Sequence, residues 1–322
     1  MFCKRPFEQF YVTSNGDAHL CCPEWIAMPA GNVIATHPLE IWQGKVAQNI
    51  RRSILDQSFR HCVACPFLPG PAGCVVDESV EGQPAVDRIG TLTVAYDPTC
   101  NLSCPSCRQG IRGREPRSEL IQRILLESGI FKIVDRLCSS GSGDPIASPL
   151  YWDLLASLPP AEYPHMQLSL QTNGVLLDER ARGKFGTWWD RVDEVLVSVD
   201  AATPETYALN RRGGNWEKLM RNLDYLAQAT GVRLQLNMVV QANNFEEMPS
   251  FARLARSCGA HRAYFSALDN WGTYSTSDYA ERAVHLPSHP QHARLLEVLR
   301  DPDLSDPART TLARLPRSGA AR

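Results

Sequence analysis

The chain has 322 residues, with 33 basic and 35 acidic side chains, a net charge of −2 and 43% apolar residues. This length and apolar content suit one large domain or two, and a balanced charge with no long run of one sign argues against a nucleic-acid protein held by phosphate contacts. The longest apolar stretches are strand-sized, so no membrane span is expected, and the opening Met1-Phe2-Cys3-Lys4-Arg5-Pro6 lacks the apolar core of an export signal, which points to the cytoplasm.

Residues 1–88 read as a small Cys-rich α+β module, bounded by a Gly/Pro/acidic stretch at 69–84. Two short β-rich runs, 9–13 and 18–21, flank Ser14-Asn15-Gly16-Asp17, a strong hairpin signal. Residues 38–57 read as one helix, with Ile41, Trp42, Val46, Ile50 and Ile54 in an apolar stripe and Pro38 in the first turn. From Gly90 the chain alternates strand and helix. Strands are expected at 91–96, 135–139, 166–171, 194–198, 232–240 and 261–266, with helices between them. Thr203 with Pro204 starts one helix, and Asn244 with Glu247 makes a capping-box pattern for another. Such alternation means an α/β fold with a parallel sheet and right-handed crossovers. Six units suit an open, TIM-like partial (β/α)6 barrel over residues 89–285, with ligands gathered at the strand C-terminal ends. Residues 286–322 read as a peripheral helix and a loose tail, with His285, His289 and His292 on the surface. Trp188-Trp189 reads as packing.

Eleven cysteines is a high count for a chain expected in a reducing compartment, where such residues are more often metal ligands than disulfides. Six lie in the first 74 residues. Three more, Cys100, Cys104 and Cys107, fall within eight residues, at the end of the 91–96 strand. Three thiolates on one tight loop hold three irons of a [4Fe–4S] cube and leave the fourth open to a ligand, whereas a structural zinc site normally fills all four positions. No fourth Cys or His lies close in sequence, which favours the open cluster. Cys138 and Cys258 read as small buried apolar residues.

The run Cys100-x3-Cys104-x2-Cys107 resembles the cluster loop of the radical S-adenosylmethionine (SAM) superfamily, over roughly residues 90–271. The resemblance implies a [4Fe–4S] cluster whose open iron chelates the amino and carboxylate groups of SAM. Gly141-Ser142-Gly143-Asp144-Pro145 stands where that family has Gly-Gly-Glu-Pro, which meets the SAM amino group; Ser142 and Asp144 depart from the pattern. Ser198 and Asp200 resemble the ribose-facing pair, and Asn237 and Val239 are implied along the ribose and adenine. Arg211 or Arg212 resembles the basic partner of the SAM carboxylate, a role suited to a planar guanidinium. Ser106 replaces the aromatic residue usual before the third cysteine. Asp269, after the last of the six strands, is a candidate proton acceptor.

The N-terminal cysteines resemble the SPASM/twitch auxiliary-cluster module of radical SAM maturases and dehydrogenases, here preceding the SAM domain. That resemblance implies one auxiliary iron–sulfur cluster on Cys3, Cys21, Cys62 and Cys65, with Cys22 an alternative to Cys21 and Cys74 a spare. A four-cysteine structural zinc site is the rival reading. Together the resemblances imply a radical SAM oxidoreductase or maturase acting on a peptide, or on a carbohydrate, aminoglycoside or nucleoside. A flavodoxin or ferredoxin is the expected electron donor, and no nucleic acid or membrane is expected as a partner. A non-catalytic zinc-binding scaffold is the reading from another class.

Overall fold

A computed structural model describes residues 2–62, 65, 86–139, 141–228 and 231–316. The 69–84 stretch, Cys74 and the last six residues lie outside that set. The chain forms two compact units that do not follow chain order: one comprises Met1–Thr99, Arg112–Leu170 and Thr187–Val192, the other Cys100–Ile111, Gln171–Gly186 and Asp193–Arg322. Among the described residues no helix is long and apolar enough to cross a membrane.

In the first unit the expected hairpin forms from β1 (Gln9–Thr13) and β2 (Asp17–His19), paired antiparallel with Tyr11 opposite His19. A two-residue strand, β3 (Gly31–Asn32), pairs with β2. On its other side β1 runs parallel to β4 (Thr91–Ala95), with Gln9 opposite Thr91 and Thr13 opposite Ala95. The sheet continues through β5 (Arg136–Ser139) and β6 (Gln167–Thr172), giving the order β6-β5-β4-β1-β2-β3. Alternation along β1 buries Phe10 and Val12 completely, as a half-buried strand requires. The first residues of the chain therefore share a sheet with the strand that leads into the cysteine triad. Trp188 and Trp189 are buried, and the Trp188 indole donates to the Leu155 and Leu158 carbonyls, a packing role as expected.

The single helix expected at 38–57 is two, Pro38–Gln43 and Lys45–Leu55. The chain extends at Gly44 (φ −69°, ψ 168°), where the sequence offers the weakest helix former after proline. The break shifts the phase of the stripe: Ile41, Trp42, Ile50 and Ile54 are buried, but Val46 is exposed.

The second unit holds β7 (Val192–Ser198), β8 (Arg233–Val240), β9 (Arg262–Ala267) and β10 (Thr310–Ala313), all parallel, in the order β10-β9-β8-β7. All six strands expected after Gly90 are present, in a mostly parallel arrangement that does not close. β10 is a correction to the expected loose tail. It follows a helix at His292–Val298 and pairs with β9 from Thr310 opposite Ala263 to Ala313 opposite Ser266. His289 is buried rather than on the surface, its Nε2 3.0 Å from the Glu281 carbonyl.

Thr203 caps the helix Pro204–Asn210 as expected, its hydroxyl accepting from the Thr206 N–H at 3.3 Å. The Asn244/Glu247 capping box does not form. Asn244 donates to the Asp200 and Val239 carbonyls at 3.0 and 2.9 Å. Glu247 instead accepts from the Ala202 N–H at 2.6 Å and from the hydroxyls of Thr203 and Thr206. Both residues are spent holding the turn after β7, which carries Asp200.

Candidate functional site

In the second unit the triad occupies a tight loop closed by its own backbone: the Cys107 and Arg108 N–H groups donate to the Cys104 carbonyl at 2.9 and 3.0 Å. Cys104 is buried, Cys100 half-buried and Cys107 exposed. A side-chain donor reaches each sulfur. Arg108 approaches Cys107 Sγ with Nε and Nη2, both at 3.3 Å. Arg211 Nη1 lies 3.7 Å from Cys104 Sγ, and Asn173 Nδ2 lies 3.9 Å from Cys100 Sγ and donates to Asn101 Oδ1 at 2.8 Å. Arg212 braces the loop from outside: its Nε donates to the Ser103 carbonyl and hydroxyl at 3.1 Å, and its carbonyl accepts from the Ser103 N–H at 3.0 Å. The two arginines that sequence alone leaves equivalent are thus distinct. Arg211 is buried among charges, and Arg212 is an exposed clasp.

Arg211 pairs with Asp200 at 2.8 Å, both side chains largely buried. Burial opposes the Arg211 charge, but the Asp200 carboxylate and the Cys104 thiol outweigh it and raise its pKa. Asp200 sits in the left-handed region at φ 61°, uncommon for a non-glycine residue. Its conformation is held from several sides: Asn210 and Asn244 donate to its carbonyl at 3.0 Å, and its Oδ1 accepts from the Val239 N–H at 2.7 Å. Ser198 and Asn237 face each other across β7 and β8, with the Val199 N–H donating to the Asn237 carbonyl at 3.0 Å. Two buried polar atoms here have no hydrogen-bond partner, Arg211 Nε and the Tyr207 hydroxyl. Burial pushes the Tyr207 pKa up to about 12. Asp269, offered as a proton acceptor, is paired with Arg314 at 2.5 Å.

In the first unit the Gly141–Pro145 segment packs onto the end of β4. Ser142 Oγ donates to the Ala95 and Asp97 carbonyls at 2.7 and 3.0 Å, and the Asp144 N–H donates to the Thr99 carbonyl at 2.8 Å. Asp144 is buried, and its Oδ1 accepts from the Ile146 and Ala147 N–H groups at 3.0 and 3.3 Å. Asp97 is fully buried; it accepts from the Thr99 N–H and hydroxyl at 3.2 and 2.9 Å, and from the Ser148 hydroxyl. Gly141 lies at φ +112°, and an added Cβ would strike the Tyr11 hydroxyl and come within 2.7 Å of Ala95 Cβ. At Gly143 a Cβ would meet the Thr99 carbonyl and lie 2.5 Å from the Asp97 carbonyl oxygen. Both obstacles at Gly143 are backbone, so no rotamer change relieves them. Gly143→Ala is expected to destabilise the protein by about 1–3 kcal/mol, seen as a lower urea midpoint, and an unchanged midpoint would show that the segment yields freely.

The N-terminal cysteines also belong to the first unit. Cys3 interacts electrostatically with Cys65, Cys62 with both Cys65 and Cys3, and Cys21 with Cys3 and Cys22. Cys22 also bears on Tyr11. Burial first, and the neighbouring thiols after it, push Cys62 up to about 11. Burial likewise takes Cys21 to about 12, against the opposing pull of Arg5. A metal centre at these thiols would have to bind them as thiolates, so its binding would release protons.

Among the described residues no three His, Cys, Asp or Glu side chains already form a metal-ion site. The fit of both sets to iron–sulfur clusters rests on donor chemistry: thiols grouped within one unit, and for the triad an N–H donor toward each sulfur. Arg211, whose Nη1 faces Cys104 while its Nε is unsatisfied, equally suits an anionic group bound at that loop.

An open, mostly parallel α/β sheet with a C-x3-C-x2-C loop set among cationic side chains defines a radical SAM protein. The comparisons agree. Residues 96–255 match the family model of the Radical SAM superfamily, and residues 3–66 match SPASM, an iron–sulfur cluster-binding domain, so the chain belongs to the radical SAM superfamily and carries a SPASM domain. Membership implies a [4Fe–4S] cluster and SAM, and the SPASM domain implies auxiliary iron–sulfur clusters. The chain is 30% identical over 191 residues to a probable GTP 3′,8-cyclase of Methanosarcina mazei, covering 55% of this chain and 54% of that protein. It is 29% identical over 176 residues to the mycofactocin maturase MftC of Mycobacterium tuberculosis, covering 52% of this chain and 42% of that one. It thus spans about half the length of these curated relatives. Streptococcus suis SuiB bound to S-adenosylmethionine is similar over 84% of this chain and 55% of its own, at 14% identity and a TM-score of 0.47.

Sequence reasoning assigned no role to Arg108, Asn173 or Tyr207. Arg108 and Asn173 carried a signal in their positions: one directly follows the third cysteine, and the other follows the end of β6. Tyr207 carried none, because its burial depends on tertiary packing against Trp216, with ring centroids 5.4 Å apart.

Proposed function

We propose that this protein is a radical SAM maturase that modifies a peptide, with an auxiliary cluster in its N-terminal module. The observation that supports it most is the triad loop, with three thiols on one turn and a side-chain N–H donor directed at each. When bound, the cluster and SAM together supply one-electron cleavage of SAM to a carbon-centred radical able to take hydrogen from an unactivated C–H bond. The chain's own residues bind and orient. In the second unit, Cys100, Cys104 and Cys107 hold the cluster. Arg211 offers its buried guanidinium to the SAM carboxylate while Asp200 keeps it aligned, and Ser198, Asp200, Asn237 and Val239 meet the ribose and adenine. The Gly141, Ser142, Gly143 and Asp144 segment is assigned to the SAM ammonium on its sequence resemblance alone, and Cys3, Cys21, Cys62 and Cys65 would hold a second cluster, a group able to take up one electron. Asp269 would accept a proton only after release from Arg314. A flavodoxin or ferredoxin supplies the electron.

The SPASM domain and the maturase relatives favour a peptide substrate. A nucleotide is the second reading, favoured by the GTP 3′,8-cyclase relatives. Anaerobic turnover with SAM, dithionite and short peptides encoded beside the gene decides between them. A peptide mass shift that grows in step with 5′-deoxyadenosine is expected. Coupled turnover of a nucleotide, with every peptide unchanged, would overturn the peptide assignment.

A further inference from the structure

Arg108 is a charged side chain only 8% exposed, and it turns two donors of its planar fork onto one sulfur, Cys107, at 3.3 Å each. Burying a guanidinium is costly unless an anion faces it. Cys107 is also the exposed member of the triad. Potentials of iron–sulfur clusters follow net charge, hydrogen bonds to sulfur and solvent exposure, and Arg108 supplies the first two at one ligand.

We infer that Arg108 is a positioning residue for the cluster that, through Cys107, raises the cluster's reduction potential and so favours the reduced state that cleaves SAM. The inference rests on the cluster reading given above. Its physical basis is the sign of the charge: one-electron reduction adds negative charge to the cluster and its thiolates, and a fixed cation 3.3 Å from a ligand sulfur stabilises the reduced form more than the oxidised one. Arg211 stands farther from its sulfur, 3.7 Å from Cys104, and shares its charge with Asp200 at 2.8 Å.

The test is an EPR-monitored redox titration of the full chain, reconstituted anaerobically with iron and sulfide. The triad cluster is identified as the one whose signal changes when SAM is added. In Arg108→Met the midpoint should move to more negative potential, so that the reduced-to-oxidised ratio at a fixed poise falls about tenfold, ~59 mV for one electron. Arg108→Lys keeps the charge and should recover most of that shift. If Arg108→Met assembles no cluster, Arg108→Gln, similar in size but neutral, decides by the same criterion. A SAM-responsive cluster with an unmoved midpoint in the neutral variant would overturn this inference alone, as would equal shifts in Arg108→Lys and Arg108→Met. A wild-type protein with no SAM-responsive signal would overturn the cluster reading beneath it.

Discussion

Cys104→Ala should abolish 5′-deoxyadenosine formation while leaving a folded protein. Cys104 is the central and buried member of the triad, its carbonyl accepts the two N–H bonds that close the loop, and its sulfur faces Arg211 at 3.7 Å. Alanine keeps the backbone bonds and removes only the sulfur. The packing cost is on the order of 1 kcal/mol, too little to unfold a chain of this size. The chemical cost is larger, because two thiolates cannot hold three irons, and the Arg211 guanidinium loses one of its two partners. Cys100→Ala and Cys107→Ala should behave alike. Chromatographic assay of 5′-deoxyadenosine alongside far-UV circular dichroism reads both halves of the claim. Undiminished SAM cleavage in any of the three folded variants would remove the triad from the chemistry.

The second large effect is expected in the N-terminal module. Two cubane clusters would bring about eight irons per chain. Replacing Cys3, Cys21, Cys62 and Cys65 together with alanine should leave roughly half of that iron. Product formation should stop, while SAM cleavage at the triad can continue uncoupled. Cys3 and Cys21 belong to the hairpin region and Cys62 and Cys65 follow the helix Lys45–Leu55, so a shared metal centre would tie together two parts of the module that are distant in sequence. A module this small gains much of its stability from such a tie, and the quadruple variant should therefore become protease-sensitive within residues 1–62. Full iron retention would assign the module to substrate or partner binding instead. Retention of half the metal as zinc in the native protein would favour the structural-zinc reading.

Much of this was legible because the information is local. The six strands after Gly90 are apolar runs ended by Gly, Asp or Asn, and a parallel sheet buries such runs on both faces. The cysteine spacing is legible for the same reason, since a metal loop is a short-range object. What escaped depends on tertiary neighbours. Thr310-Thr311-Leu312-Ala313 is a weak strand by itself, amid Arg and Pro, and becomes one because β9 offers an unpaired edge. Asn244 and Glu247 have the spacing of a capping box, but the turn around Asp200 presents unsatisfied carbonyls, an N–H and two hydroxyls, and those partners win. Nothing in Arg211-Arg212 says which guanidinium faces inward. That is settled by Asp200, eleven residues earlier in the chain, held at φ 61° by two asparagines.

The parallel pairing of β1 with β4 carries a consequence for how the protein is made. β4 is synthesised about 80 residues after β1, so the ribosome delivers the partner strand on the order of 4 to 16 s late at roughly 5–20 residues per second. During that interval the nascent hairpin carries an uncovered strand edge, with Phe10 and Val12 unburied and Cys3, Cys21 and Cys22 open to oxidants and stray metals. An edge of that kind invites pairing with another chain. The same edge is covered in the finished protein, where β1 runs between β2 and β4 and presents no free side.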